Sequence, residues 1–161
     1  MELDEVVSVH YPAFTVIGKL GEGLAAEGSS WVPPLWQLAN EHFEELASVV
    51  QPESLSVLHL WGLMSDSSSW LAPWQEVGQY LAGLEVPPET PTPAGWTRWE
   101  MPAMDYLTVK TDVDGLETTM EQMFTDVLPA LGAELSAAVQ EYYEPEFSPG
   151  EVVLYFPVVK E

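Results

Sequence analysis

The sequence predicts an α+β fold made of two tandem, pseudo-symmetric β-α-β-β repeats, whose antiparallel sheet halves pack around a central ligand groove. Two observations predict this fold. Strand-like and helix-like patterns follow one another in the same order twice, and a proline interrupts the first strand of each half, at Pro12 and again 90 positions later at Pro102. Because internal duplication indicates structurally similar units, we expect one domain over residues 1–161, with repeats at about 5–86 and 96–159 joined by a Pro-rich connector at 87–95.

The first repeat begins with alternating, β-branched residues at 6–20, which predict a strand kinked at Pro12. Apolar residues then recur at three- and four-residue steps as far as Val50. This spacing predicts a helix whose first turn holds Pro33 or Pro34. Two further strands are predicted at 54–63 and 79–86, and a polar, Ser-rich loop is predicted between them at 65–69.

The second repeat follows the same order, beginning with a strand at 96–111 that is kinked at Pro102. Asp114 followed by Glu117 resembles a capping box and predicts the start of a helix. Pro129 should end this helix, because the residue before a proline avoids helical backbone angles. The last two strands are predicted at 138–147 and 152–159.

A glycine-rich stretch at 21–26 fits the dinucleotide-binding fingerprint and follows a predicted strand. Residues 27–33 are not predicted to form the helix whose N-terminus would hold a pyrophosphate in a dinucleotide-binding fold. We therefore interpret the stretch as a flexible loop, and we predict no cofactor.

The composition excludes several classes of protein. The chain has 4 Lys and Arg against 26 Asp and Glu, a net charge of −22, which opposes direct binding to nucleic acid or to anionic membranes. Its 47% of hydrophobic residues, with 7 Trp, 6 Tyr and 5 Phe, is too high for a disordered acidic tail. No apolar run is long enough to span a membrane, and the acidic N-terminus does not resemble a secretory signal. We expect a cytoplasmic protein.

Motifs for metal binding and nucleophilic catalysis are not recognisable. The chain has no cysteine, and its three histidines, His10, His42 and His59, lack the spacing of a zinc site. His42 lies on the apolar side of the first predicted helix, where a core position is expected. A Ser/His/Asp triad is not indicated by any nucleophile motif.

Aromatic residues are concentrated on the predicted strands. Core packing would explain any one of them, but Trp and Tyr each carry a polar group that needs a partner, so the set predicts a cavity walled by indole and phenol rings. Alternation places His59 and Trp61 on one strand face, and Glu151, Val153 and Tyr155 on one face of another strand. The aromatic residues concerned are Trp61, Tyr80, Trp99, Tyr106, Tyr143 and Tyr155 on strands, and Trp36 on the first helix.

Short motifs in both halves resemble a known family. From about residue 6 to residue 158, the chain resembles the GyrI-like small-molecule-binding domain, also called the AraC-type effector-binding domain. The matching segments are Val32-Pro33-Pro34-Leu35-Trp36, Trp61-Gly62-Leu63 and residues 80–86 in the first half, and Met101-Pro102-Ala103 with Tyr106, Glu141-Tyr142-Tyr143 and residues 154–158 in the second.

The resemblance implies a duplicated fold with an aromatic-lined pocket for amphipathic, often cationic, aromatic small molecules. Many members are effector sensors of multidrug-responsive transcription regulators. Because the first predicted strand begins at once, we expect a stand-alone member without a DNA-binding module. Stand-alone members include antidote-like proteins, a gyrase-inhibitory protein and hydrolases of cyclopropane-bearing genotoxins.

Carried over by position, the resemblance implies ligand contacts at Trp61 and Tyr80. It also implies a buried glutamate four residues before Pro157, and this chain has Val153 there. Glu141 and Glu151 are therefore the candidate pocket acids. The remaining candidate ligand-binding residues are Trp36, His59, Trp99, Tyr106, Tyr143 and Tyr155.

Three functions follow as hypotheses. The first is a sensor or sequestering domain for hydrophobic aromatic molecules, cationic or neutral. The second is a hydrolase of electrophilic genotoxins in which Glu141 or Glu151 activates water. The third is an acidic module that imitates DNA for an unidentified basic protein partner such as a topoisomerase.

Overall fold

The computed structural model describes residues 6–48, 59–112, 114–143 and 151–160. Within them, nine antiparallel strands form one sheet that carries helices on one side. The strands are β1 (Val7–Tyr11), β2 (Phe14–Leu24), β3 (Leu60–Asp66), β4 (Val77–Val86), β5 (Thr97–Met101), β6 (Met104–Asp112), β7 (Ala133–Leu135), β8 (Gln140–Tyr143) and β9 (Glu151–Lys160). The helices are α1 (Gly28–His42), α2 (Leu116–Gln122) and α3 (Leu128–Leu131), with a π-helical turn (Met123–Val127) joining the last two.

The strand order confirms the predicted duplicated α+β fold. It runs β1-β6-β9-β8-β3-β4-β2-β5, with β7 paired to β9. Corresponding strands of the two halves therefore occupy mirrored places in the order. Strand β1 pairs with β6 of the second half, and β5 pairs with β2 of the first half, so each half contributes a strand to the other.

A proline separates the short and long strands of each half, as predicted. Pro12 and Ala13 lie between β1 and β2, and Pro102 and Ala103 lie between β5 and β6. Proline has no N–H group to donate to a neighbouring strand, so the ladder stops there and the chain bends. The bend is what allows each short strand to reach the other half.

Both helical segments lie on the same face of the sheet, which we call the helix face. Leu35 and Ala39 of α1 pack on Tyr80 and Ala82 of β4, and Met123 of the π-helical turn packs in one cluster with β6 and β9 side chains. Apolar side chains on the opposite face, here the open face, form a separate cluster around Trp61. The sheet is thus lined by packed side chains on both sides.

The glycine-rich stretch is not a flexible loop. Gly21 and Gly23 belong to β2, and α1 begins at Gly28, earlier than predicted, so that Pro33 and Pro34 lie inside the helix. The reason is Trp31, whose ring packs so closely on Gly23 that a Cβ there would lie 2.7 Å from Trp31 Nε1. β2 pairs only with antiparallel strands among the described residues, which excludes the parallel unit of a dinucleotide-binding fold.

The second helical region also differs from the prediction at both ends. Asp114 makes no side-chain cap; instead, Asp112 Oδ1 accepts a hydrogen bond from the Gly115 N–H at 2.7 Å. Pro129 does not end the helix, because a wider π-helical turn precedes it and Pro129 falls in the first turn of α3, where no N–H is needed. The helix ends at Gly132.

Several predicted boundaries shift. Ser65 and Asp66 belong to β3 rather than to the loop, because they pair with Gln79 and Gly78 of β4. The buried Ser65 hydroxyl also accepts a hydrogen bond from the Leu71 N–H at 2.8 Å. Strand β7 was not predicted. Parts of the strands predicted at 54–63 and 138–147 lie outside the described residues, at 54–58 and 144–147. In the described part of the chain, no helix is long and apolar enough to cross a membrane.

Candidate functional site

The structure divides the predicted site residues between the two faces of the sheet. Residues that are paired across neighbouring strands have their side chains on the same face of the sheet. Trp61 therefore shares one face with its partner Tyr142, and Gly62 shares the other face with its partner Glu141. The open face holds His59, Trp61, Trp99, Tyr106, Glu151, Val153 and Tyr155, and the helix face holds Trp36, Tyr80, Glu141 and Tyr143. The predicted single pocket is therefore two separate sets of side chains.

A groove of about 690 Å³ opens at the end of the sheet, beside the Pro12 kink and the loop after β4, and the open face contributes Phe14, Glu85 and Met101 to its lining. We call it the open-face groove. Most of its wall is apolar, and it lies where β5 of the second half joins the first half. It is lined by Ala13, Phe14, Thr15, His59, Glu85, Val86, Pro87, Pro88, Glu100 and Met101.

Glu85 is the polar centre of the open-face groove. Its Oε1 accepts one hydrogen bond from Trp61 Nε1 and one from the Tyr11 hydroxyl, both at 2.8 Å. Its Oε2 has no hydrogen-bond donor among the described residues. Two donors thus fix the carboxyl group at the groove wall and leave one oxygen for a ligand.

The rings behind Glu85 form a continuous aromatic layer. Trp61 lies at its centre, with ring centroids 4.7 Å from Phe14, 5.7 Å from Tyr11, 4.7 Å from Tyr142 and 5.0 Å from Tyr155. Several of these contacts are edge-to-face, an arrangement that stabilises aromatic pairs beyond burial alone. Of these five rings, Phe14 also lines the open-face groove.

The charge of the open-face groove is negative. Its lining includes two carboxyl groups, Glu85 and Glu100, and no lysine or arginine. Arg98 pairs with Glu100 at 3.0 Å, at the protein surface, whereas Glu85 has no cationic partner among the described residues. His59 accepts or donates a short hydrogen bond with the Tyr142 hydroxyl. A positively charged ligand would be complementary to Glu85.

On the helix face, Glu141 is surrounded by three aromatic residues. Its Oε1 accepts hydrogen bonds from the hydroxyls of Tyr80, at 2.5 Å, and Tyr143, at 3.1 Å. Trp36 Nε1 donates in turn to the Tyr80 oxygen at 2.8 Å. A cavity of about 260 Å³, here the helix-face cavity, adjoins this cluster and is lined by Trp36, Asn40, Leu60 and Tyr143.

Gly62 makes the meeting of Tyr80 and Glu141 possible. A Cβ at this position would lie 1.8 Å from the Tyr80 hydroxyl and 2.9 Å from Glu141 Oε1. Any other residue would therefore displace the hydrogen bond that crosses over β3. The resemblance motif Trp61-Gly62-Leu63 thus includes a residue required by packing.

Burial raises the pKa of Glu141, and the hydrogen bonds from Tyr80 and Tyr143 only partly oppose this shift. The pKa values of both tyrosines are raised as well, first by burial and then by the nearby Glu141 charge, so they stay protonated at neutral pH. Glu141 therefore holds a proton more tightly than an ordinary glutamate does.

This shift predicts how stability depends on pH. The folded protein binds the Glu141 proton more tightly than the unfolded chain does, so this residue lowers the free energy of unfolding as pH rises from its ordinary pKa of 4.5 through the raised value. Glu141→Gln cannot titrate. We expect the unfolding free energy of the variant, minus that of the wild type, to increase with pH over this range.

Urea unfolding of both proteins between about pH 4 and pH 8 measures this difference, because the linear extrapolation gives each free energy. Glu151→Gln, which removes a carboxyl paired with Lys110 at 3.6 Å, is the matched control. A difference for Glu141→Gln that stays flat, or that decreases as pH rises, would contradict the raised pKa.

Most predicted aromatic residues do not line a cavity surface. Trp61 and Tyr80 are 0% and 1% exposed, and Tyr106 and Trp99 are also buried. Tyr106 packs edge-on against Tyr155, and Trp99 packs edge-on against Trp70. Of the predicted ligand-binding residues, His59 lines the open-face groove, and Trp36 and Tyr143 line the helix-face cavity.

The two candidate acids differ in their surroundings. Glu141 lies in the aromatic cluster on the helix face, whereas Glu151 forms an ion pair with Lys110 at the start of β9. Val153 is partly exposed and packs beside the Trp61 cluster, so the aliphatic side chain adds to that apolar face. Neither acid lines the open-face groove.

Sequence reasoning missed Glu85, Tyr11 and Phe14. The signal for Glu85 was present, because alternation along β4 places it on the same face as Gly83 and Leu81, which lie opposite Trp61 and Leu63. Tyr11 and Phe14 flank the predicted Pro12 kink, but no pattern in the sequence indicates that β1 and β2 bring them against Trp61. The contact depends on pairing between the halves.

Metal binding receives no support from the geometry. Among the described residues, no group of three or more His, Asp or Glu side chains is arranged to hold a metal ion. His42 is not a core residue, since its ring is partly exposed and bonds Glu45 Oε2 at 3.0 Å, three residues along the chain. The histidine is held at the surface because α1 ends there.

No protein-family model matches the chain. Among curated proteins, the transcriptional regulator BrlR of Pseudomonas aeruginosa is similar, with 27% identity over 160 residues. The matched region covers 93% of this chain and 54% of BrlR. The chain therefore spans about half the length of this relative.

Solved structures of similar fold cover nearly the whole chain. SAV2435, solved bound to tetraphenylphosphonium, has a TM-score of 0.68 and 10% identity, with 99% of this chain and 94% of that chain covered. The C-terminal domain of EcmrR has a TM-score of 0.63 and 13% identity, with 97% and 98% covered. At these identities the likeness shows a shared fold.

Proposed function

The chain has the fold of GyrI-like effector-binding domains, and from this premise we propose that it binds amphipathic aromatic cations in the open-face groove. The observation that carries the proposal is Glu85, a carboxyl group fixed by Trp61 and Tyr11 at the wall of an apolar groove. The protein would act as a sensor or sequestering domain for such molecules.

The size and surface of the open-face groove support this proposal. Its volume of about 690 Å³ lies within the range of about 300–1,000 Å³ that is common for small-molecule sites. Phe14, Met101, Val86 and two prolines provide an apolar wall for a flat or bulky aromatic body. The helix-face cavity, at about 260 Å³, is smaller than this range.

Glu85 takes the part that the resemblance assigned to a glutamate at position 153. Val153 cannot pair with a cation, but Glu85 reaches the same aromatic layer from β4 through its bond to Trp61. The net charge of −22 adds a long-range attraction for cations. A fixed carboxylate beside apolar walls favours a cation over a neutral molecule of the same shape.

Tetraphenylphosphonium, to which SAV2435 was solved bound, is the probe for testing the proposal. Ala13 is exposed and lines the groove, so Ala13→Trp should fill the groove at little cost to folding. We expect wild-type protein to bind the probe saturably, with affinity reduced at least tenfold in Ala13→Trp. Isothermal titration calorimetry measures both values.

The duplicated fold provides a matched control for this experiment. Ala103 occupies the corresponding exposed place at the second proline kink and does not line the open-face groove. Ala103→Trp should therefore keep wild-type affinity. Equal loss in both variants, or no saturable binding by the wild type, would count against the groove as the binding site.

A hydrolytic function stays a prediction, and one observation favours it. The raised pKa of Glu141 suits a general acid or base, but this residue lies on the face opposite the groove. Incubation of cyclopropane-bearing electrophiles with wild type and Glu141→Gln, followed by mass analysis of the products, tests the hypothesis. Equal turnover would remove Glu141 from the mechanism.

A further inference from the structure

We propose that the second half of β2 is a docking site, to which an extended, basic segment of a partner protein adds as a further antiparallel strand. Strand β5 covers this edge of β2 only from Phe14 to Gly18. From Lys19 to Leu24, β2 pairs only with β4 among the described residues. This stretch, here the free edge, lies at the opposite end of β2 from the open-face groove, so the proposal does not depend on the function proposed above.

The hydrogen bonds around the free edge identify the backbone groups that it presents. The Ala25 N–H donates to the Glu76 carbonyl, next to the start of β4, at 2.9 Å. Since successive strand residues turn their N–H and C=O groups to opposite sides, even-numbered residues of β2 point away from β4. Of these, Leu20 and Glu22 have no backbone hydrogen-bond partner in the described part of the chain. An added strand would pair with their N–H and C=O groups.

The side chains of the free edge are unusually apolar for an unpaired strand. Leu20 and Leu24 are 40% and 52% exposed, and Glu22 is exposed between them on the open face. Strand addition uses main-chain hydrogen bonds for affinity and alternate side chains for specificity. The free edge provides both the backbone groups and two leucine contacts.

The duplicated fold provides a comparison for this edge. Beyond Thr108, β6 also has no neighbour on its β1 side among the described residues. The 90-residue offset between the repeats places Lys110 where β2 has Leu20, and Asp114 corresponds in the same way to Leu24. Charged side chains on an unpaired edge oppose the addition of another strand. The second half is protected in this way, and the first half is not.

The charge at the free edge favours a basic partner. Glu22 has no cationic partner among the described residues. Its Oε2 accepts hydrogen bonds from two neutral groups, Ser67 Oγ at 2.7 Å and Gln79 Nε2 at 3.1 Å. A lysine or arginine opposite Glu22 on the incoming strand would supply the cation. The net charge of −22 adds a long-range attraction for a basic segment.

A second copy of this chain is a poorer occupant of the free edge. Antiparallel pairing of two free edges would join outward-pointing residues, so the two Glu22 side chains would lie opposite or diagonal to each other on one face. Like charges at such positions destabilise strand pairs. The net charge of −22 on each copy adds a long-range repulsion.

Alternation defines the sequence of the incoming strand. Residues paired across strands lie on the same face, so the residues opposite Leu20, Glu22 and Leu24 should be apolar, basic and apolar. One residue separates each of these from the next. The intervening residues would lie on the helix face, where Trp31 packs on Gly23. Threonine, which favours strands, suits these positions.

The probe is a dye-labelled peptide with blocked ends, in which threonine alternates with valine, lysine and valine. We expect saturable binding by fluorescence anisotropy, and slower hydrogen exchange of the Leu20 and Glu22 amides by NMR. Methylation of the lysine backbone nitrogen removes a donor that faces the free edge, so it should weaken binding about tenfold. Methylation of the neighbouring threonine nitrogen, which faces away, is the matched control. Equal effects of the two methyl groups would overturn the proposal.

Two variants locate the docking site on the protein. Leu20→Lys gives the free edge the residue of the second half, and it should weaken peptide binding about tenfold. Val7→Lys makes the same change of charge at a valine that is 55% exposed on β1, at the other end of the sheet, and should leave the affinity unchanged. Equal losses in the two variants, or no saturable binding by the wild type, would overturn the proposal. So would a wild-type dimer in ultracentrifugation that Leu20→Lys dissociates, because a second copy would then occupy the free edge.

Discussion

Glu85→Gln should weaken tetraphenylphosphonium binding about tenfold, equivalent to about 1.4 kcal/mol of binding free energy, while the fold is kept. Glutamine has the same shape, and its carbonyl oxygen can still accept the hydrogen bonds from Trp61 and Tyr11. The substitution removes only the negative charge at the groove wall. A neutral aromatic ligand of similar size should bind both proteins equally.

The matched control separates the local carboxylate from the overall charge of the protein. Glu151→Gln removes one negative charge on the same face but at the start of β9, where Glu151 pairs with Lys110. Titration calorimetry of both variants at low and at physiological salt makes the comparison, because long-range attraction is screened by salt and a direct contact much less so. Equal losses in the two variants would show that net charge, and not Glu85, attracts the cation.

The sequence predicts those features of the fold that depend on local chemistry. Proline cannot donate to a strand ladder, so the kinks at Pro12 and Pro102 could be placed within a residue or two. The duplicated order of strands and helices could also be predicted, because the spacing of apolar residues distinguishes strands from helices. These local signals were sufficient for the fold class.

Contacts between distant segments could not be predicted from local signals. Helix α1 begins early because Trp31 packs on Gly23 and stacks on Trp74, a residue 43 positions away in the sequence. The π-helical turn between α2 and α3 likewise overrides the stop signal at Pro129. In both cases tertiary packing outweighs a local preference of the chain.

The candidate site shows the same limit more strongly. Alternation placed Trp61 and His59 correctly on one face, but it could not show that Trp36, Tyr80 and Tyr143 belong to the other face. That division depends on which strands are neighbours, and β3 pairs with β8 of the other half. Glu85 was overlooked because its importance comes from two donors, Trp61 and Tyr11, that are 24 and 74 positions away.

Trp61→Ala should produce the largest loss of stability of any substitution considered, about 3–5 kcal/mol. Trp61 is 0% exposed and is surrounded by Tyr11, Phe14, Tyr142 and Tyr155. Alanine would leave a cavity among these rings and would remove one donor from Glu85. Since whole domains are stable by only about 5–15 kcal/mol, this variant would be close to unfolding.

Urea unfolding followed by circular dichroism measures the loss, and Trp70→Ala is the matched control. Trp70 is 56% exposed and packs edge-on against Trp99, so its removal should cost less than about 1 kcal/mol. A loss for Trp61→Ala as small as that for Trp70→Ala would contradict the packed aromatic layer. The predicted instability also means that weaker ligand binding by Trp61→Ala would not identify a ligand contact. Trp61→Phe, which keeps a ring in the layer and removes only the indole donor to Glu85, is the variant that tests how Trp61 supports binding.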